Sequence, residues 1–158
     1  MQTQELETLA EQERFVREAI EKADEHRKKK RFKEGIDLLV EALRFGLEKE
    51  TIYFRLGNIY IDAGDLNRAE YAYKRALEVE PHYANAMHNL AIVYKRQKKI
   101  DLYVRTYKKS QRMAIRYPKR SNLSPEVKGT LRRDAWKLFG IVLAVIIAAV
   151  AVVAILRR

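Results

Sequence analysis

The sequence contains no cysteine, which removes a disulfide scaffold, a thiolate-bound metal and a thiol nucleophile together. Glycine numbers 6 and proline 3 among 158 residues, too few for a turn-rich all-β chain or a flexible low-complexity one. The glycines are isolated from one another, so no phosphate-cradling loop of either common type can form. His26, His82 and His88 have no spacing with carboxylates that suits a metal. Met1 to Glu13 are acidic and polar without an apolar run, so neither a secretory signal nor a basic transit peptide is expected there. No catalytic constellation emerges, and the expectation is a chain that is not an enzyme and holds no metal or cofactor.

What is present is charge, 34% of the residues, in a composition that favours helices. The net charge of +11 is unevenly spread. Met1 to Tyr94 hold 15 basic and 18 acidic residues, whereas Lys95 to Lys137 hold 15 basic and 3 acidic ones. The positive segment leads into Leu138 to Leu156, 19 residues that are all apolar or glycine. At about 1.5 Å per residue such a run spans a hydrocarbon core of about 30 Å. Trp136 and Lys137 at one end, and Arg157 and Arg158 at the other, suit the two interfaces. A single-pass transmembrane helix over 138–156 is therefore expected, with 118–137 a basic juxtamembrane segment and 157–158 a basic tail.

The Lys and Arg excess on the N-terminal side of the span predicts that the rest of the chain is cytoplasmic and that the protein is tail-anchored. Lys119, Arg120, Lys128, Arg132, Arg133, Trp136 and Lys137 are the candidate membrane-surface contacts, with anionic lipid as partner. Ser124, Pro125 and Glu126 read as a helix start, from which one helix could continue into the span. Gly140, Ala144 and Ala148 fall on one face at four-residue spacing, which would allow homo-oligomer formation through close helix approach. Nucleic acid fits poorly as a partner: the positive charge lies beside the apolar run and no nucleic-acid motif is present.

At an offset of 34 residues the chain resembles itself. Leu56, Gly57, Tyr60 and Tyr73 land on Leu90, Ala91, Tyr94 and Tyr107, while Ala76 and Leu66 land on Ala42 and Phe32 in the other direction. Within the middle unit Leu66, Ala69, Tyr73, Ala76 and Leu77 recur at three or four, one apolar stripe on a helix. Ala63, Gly64 and Asp65 read as a helix stop and restart. The outer units have Lys30 and Lys98 in place of that glycine. A lysine there is strained by about 1 kcal/mol, so those two turns are expected to differ slightly. Pro81 is expected in the first turn of the following helix.

On Tyr53, Leu56, Gly57, Tyr60, Ala69, Tyr73, Ala76 and Pro81 the sequence resembles the tetratricopeptide repeat, an antiparallel helix pair every 34 residues. The resemblance implies an all-α superhelix of about three repeats at 16–49, 50–83 and 84–117. A helical extension at 1–15 would precede it, and the transmembrane helix would follow. In that family the first helix of each unit lines a concave groove. The positions that correspond are Arg17, Ile20, Asp24 and Arg27, then Thr51, Phe54, Asn58 and Ile61, then Asn85, His88, Ile92 and Lys95. These are the candidate residues for an extended peptide or helix of a protein partner. Chaperone-binding members use a Lys, Asn and Arg clamp for a C-terminal carboxylate, and only Asn58 matches it.

The function implied is an adaptor, scaffold or assembly factor that recruits a partner to the cytoplasmic face of a membrane, a prokaryotic inner membrane being the preferred setting. The alternatives are an organelle receptor or an integral small subunit of a larger membrane complex. The receptor would sit in the mitochondrial outer membrane, a plan similar to that of fission adaptors and import receptors.

Overall fold

The computed structural model describes residues 2–117. Six helices follow in order: α1 (Gln2–Lys28), α2 (Phe32–Leu43), α3 (Lys49–Asp62), α4 (Leu66–Val79), α5 (Ala84–Arg96) and α6 (Ile100–Arg116). They pack as antiparallel pairs, α1 with α2, α3 with α4 and α5 with α6, and the pairs stack through α2 on α3 and α4 on α5. The expected extension at 1–15 and the first repeat helix are one unbroken helix, α1. The chain divides into two compact units, Met1–Pro118 and Lys119–Arg158, and the second lies outside the described residues.

Each pair is held by a small residue facing a large one. In the first core cluster Val16, Ala19 and Ala23 of α1 meet Leu39 and Ala42 of α2 and Ile52 and Ile59 of α3, all buried. Burying one such aliphatic chain contributes about 1.5–3 kcal/mol. In the second, Ala69, Tyr73 and Ala76 of α4 meet Ala86, Leu90 and Val93 of α5. At Gly57 a Cβ would stand 2.5 Å from the Tyr73 ring, so glycine is what lets α3 and α4 approach as they do.

The three turns inside the pairs are alike, contrary to the expected difference. Lys30, Gly64 and Lys98 have φ of 58°, 82° and 61°. In each, the following residue's N–H donates to a carbonyl five positions back: Arg31 to His26, Asp65 to Tyr60 and Lys99 to Tyr94. The helix end dictates the left-handed residue whether or not glycine is there to supply it. Asp65 then caps α4, its carboxylate accepting from the Arg68 N–H at 3.0 Å. Pro81 differs from expectation: it lies in the turn before α5, which begins at Ala84 with Tyr83 as its N-cap.

Among the described residues no helix is long and apolar enough to cross a membrane. The apolar run at 138–156, the basic segment at 118–137 with its candidate lipid contacts, and the small-residue face of Gly140, Ala144 and Ala148 lie outside the described residues.

Candidate functional site

The first helices α1, α3 and α5 present the twelve groove positions in four rows. Arg17, Asn85 and Lys95 are exposed, while Asp24, Arg27, Thr51, Phe54, Asn58, Ile61, His88 and Ile92 are half-buried. Ile20 corrects the sequence expectation: it is only 7% exposed and belongs to the first core cluster. Its row, Ile20, Phe54 and His88, runs along the seam between surface and core. Phe54 packs its ring 5.0 Å from that of Tyr83 and 6.0 Å from that of Tyr73. His88 lies 5.6 Å from the Tyr107 ring.

Polar contacts cross from one first helix to the next. Between α1 and α3, Arg55 pairs with Asp24 and Arg27 with Asp62, each at 2.9 Å, while within α1 Arg27 also lies 3.8 Å from Asp24. Between α3 and α5, Asn89 Nδ2 donates to Asn58 Oδ1 at 2.9 Å, and the Arg96 guanidinium donates to the Ile61 carbonyl at 3.4 Å. Asn58 Oδ1 also accepts from the Tyr73 hydroxyl at 2.7 Å. Burial pushes the Tyr73 phenol well above its ordinary range, so it stays protonated and donates at every physiological pH.

The result is a surface with two characters. At the C-terminal ends of α1, α3 and α5 a hollow of about 450 Å³ is lined by Arg27, Lys28, Lys30, Phe32, Ile61, Asp62 and Arg96. Cations dominate it, with Asp62 the one carboxylate in the lining. Further along, Ile92, His88 and Phe54 make a more apolar stretch, closed on one side by Lys95 over the Tyr103 ring at 5.7 Å. An apolar centre with charged and amide groups at fixed places suits an extended peptide or a helix better than a small substrate.

Sequence reasoning missed Arg55, Asp62, Asn89 and Arg96, all of which tie the first helices together. The signal was available. Neighbours across adjacent first helices lie one repeat less three or one repeat plus one apart: Asp24 with Arg55 and Asn58 with Asn89, or Arg27 with Asp62 and Ile61 with Arg96. A search for complementary residues at those two separations, as well as at the repeat length itself, would have found them.

Helix pairs stacked in register, with their first helices cross-linked into one face, define a helical-repeat module of the kind that binds other proteins. Residues 57–98 match the family model of the TPR repeat, and the six-helix fold is that of tetratricopeptide-repeat domains of known structure. Among solved structures, the first TPR domain of human RPAP3 is similar at 14% identity and TM-score 0.60, over 80% of this chain and 94% of that one. MamA is similar at 20% identity and TM-score 0.57, over 60% of this chain but only 55% of MamA. Yeast Tom70 matches 81% of this chain with 26% of its own, at 17% identity and TM-score 0.54. At these identities the likeness is one of fold. The first TPR of Spaghetti (RPAP3), also similar in fold, is solved with the HSP90 peptide SRMEEVD bound to it. No curated protein matches the sequence.

Proposed function

We propose that this chain is a membrane-anchored adaptor, its repeat domain holding a segment of a protein partner along α1, α3 and α5 while the apolar run at 138–156 fixes it in a bilayer with the repeats on the cytoplasmic side. The observation that carries the reading is the face of the first helices, where ion pairs and amide contacts lock three helices into one surface and leave Thr51, Ile61, His88 and Ile92 half-exposed along it. Side chains held in that way lose little further freedom when a partner arrives, so more of the contact energy appears as affinity. A TPR domain with a peptide bound, as in RPAP3, supports the class of ligand. The residues argue for a different peptide chemistry: Asn58, the one position shared with the carboxylate clamp, already accepts from both Tyr73 and Asn89.

The test places a photo-crosslinking side chain at Ile92 and, separately, at Tyr71, which is exposed on α4, in the full chain in its native membranes. An adduct of defined mass from position 92 and none from position 71 is the expected result. Adducts from 71 alone would move the site to the second helices. Release of the chain by alkaline carbonate would overturn the anchor, and protection from protease added on the cytoplasmic side would overturn the orientation.

A further inference from the structure

A second cationic hollow lies away from the groove, where the last two turns of α6 meet the turn between α4 and α5. It measures about 220 Å³ and is lined by His82, Lys109, Arg112, Met113, Arg116 and Tyr117. The floor is apolar, because Met113 is buried and the His82 and Tyr117 rings stack with centroids 3.9 Å apart and planes 21° apart. The turn that carries His82 is fixed by its own N–H donating to Glu80 Oε1 at 2.9 Å.

Lys109, Arg112 and Arg116 make no ion pair among the described residues. Where a carboxylate stands within reach, as beside Arg27, Arg55, Lys74, Arg75 and Lys99, the cation is paired. On α6 the one acid, Asp101, stands at the opposite end of the helix. Against the three cations stand about half a negative charge from the C-terminal dipole of α6 and the Glu80 carboxylate, which the His82 N–H already engages. An isolated basic face would simply be solvated. Here the cations border a shallow recess with an aromatic and thioether floor, where charge-assisted bonds to an anion can combine with apolar contact beneath it.

The geometry points to this hollow as a binding site for a phosphate ester, Arg112, Arg116 and Lys109 donating to its oxygens and the stacked His82 and Tyr117 rings bearing on its organic part. The inference does not rest on the adaptor reading, since the hollow shares no residue with the face of α1, α3 and α5. The same chemistry is offered by an anionic lipid headgroup and by a soluble phosphate ester.

The test follows backbone amide resonances of the full chain in neutral-headgroup detergent micelles. Inorganic phosphate is titrated in one arm. In the other the micelles are doped with phosphatidylglycerol or, as control, phosphatidylcholine, and sodium chloride is run at matched ionic strength throughout. Saturable shifts centred on His82, Lys109, Arg112, Arg116 and Tyr117, absent with chloride, are expected. In Arg112→Gln/Arg116→Gln the apparent affinity should fall at least tenfold, and Arg112→Lys/Arg116→Lys should retain part of it. Saturation by inorganic phosphate assigns the site to soluble esters, and saturation by phosphatidylglycerol alone assigns it to lipid. Shifts that are linear, shared with Arg105 and Lys108 and reproduced by chloride would reduce the feature to charge screening and overturn the proposal. The wild-type titration decides this even if the glutamine variant were poorly folded.

Discussion

The middle pair and the last pair meet one packing problem with different residues. In the middle, Gly57 of α3 leaves room for Tyr73 of α4, which is wholly buried and hydrogen-bonded to Asn58. One repeat later the same positions are Ala91 and Tyr107, and Tyr107 is 36% exposed beside His88 and Tyr103. In the first pair they are Ala23 and Leu39, both fully buried. A tyrosine can therefore be sealed into a helix pair when the facing residue is glycine and another pair stacks over it. With leucine, alanine suffices. The repeat motif specifies complementary size at the crossing, not a particular residue.

The largest effect should come from breaking that complementarity. In a fragment spanning 1–117, which carries all six helices and is expected to keep its helical circular dichroism, Gly57→Ala should cost about 1–3 kcal/mol in urea unfolding. The added methyl meets the Tyr73 ring at 2.5 Å, and that ring is held by Asn58. Ala91→Gly in the last pair should cost only about 1 kcal/mol, the propensity difference within a helix. Joining Gly57→Ala to Tyr73→Leu rebuilds the first pair's solution and should cost less than the sum of the single changes. Additive costs would show that the two residues do not share one constraint.

Tyr73 sharpens the contrast a second time, through its hydroxyl. Tyr73→Phe removes the buried hydroxyl's bond to Asn58 Oδ1, which keeps Asn89 as its other donor, and should destabilise by about 1 kcal/mol. Tyr107→Phe, at the exposed equivalent, should stay within about 0.5 kcal/mol in the same unfolding experiment.

The link between these two pairs is also charged, and this makes it sensitive to acid. Glu70 of α4 is 16% exposed and accepts from Lys74 Nζ at 2.6 Å and from Lys99 Nζ, at the start of α6, at 3.0 Å. Burial alone would raise its pKa, but hydrogen bonds from Lys74, Lys99 and Gln97 outweigh that and lower it from 4.5 to about 2. A folded pKa below the unfolded one means that the carboxylate's contribution is present above about pH 4.5 and is lost as pH falls toward 2. Glu70→Gln should therefore weaken the fragment near neutral pH and flatten its acid unfolding limb over that window. An unchanged slope would mean that another carboxylate sets it. The equivalent positions in the neighbouring units are Ile36 and Val104, so the link is not repeated in those two units.

How far the sequence could be read follows from the same comparison. The helix pairs, their order and the close crossing at Gly57 were legible because period and residue size write them directly into the chain. The rows of the first helices were legible too, but exposure within a row was not. Ile20 is covered by α3, whereas its equivalent His88 is half-exposed, and position within one unit says nothing of what the next unit lays over it. The links through Arg55, Asp62, Asn89 and Arg96 escaped because they join different helices at separations offset from the period. The phosphate-ester hollow escaped because His82 and Arg116 come from elements far apart in sequence, and residue spacing along one helix cannot reveal such a meeting.

The smallest expected effect concerns the turns. Lys30, Gly64 and Lys98 hold the same left-handed conformation and the same hydrogen bonds, so here the outer units copy the middle one in geometry and differ only in the residue that bears it. A non-glycine residue at such φ costs about 1 kcal/mol, and glycine returns part of that gain by making the unfolded chain more flexible. Lys98→Gly and Lys30→Gly should each therefore stabilise the fragment, by about 0.5 kcal/mol, and Gly64→Lys should destabilise it by a similar amount. The three variants are comparable because a Cβ at Gly64 would meet no atom beyond its chain neighbours within 4 Å, and both lysines are exposed and make no ion pair among the described residues. Urea midpoints measured side by side check the sign. If Lys98→Gly destabilises while Lys30→Gly stabilises, Lys98 contributes something besides its backbone, and the difference between the two turns lies in their surroundings, not in their helix ends.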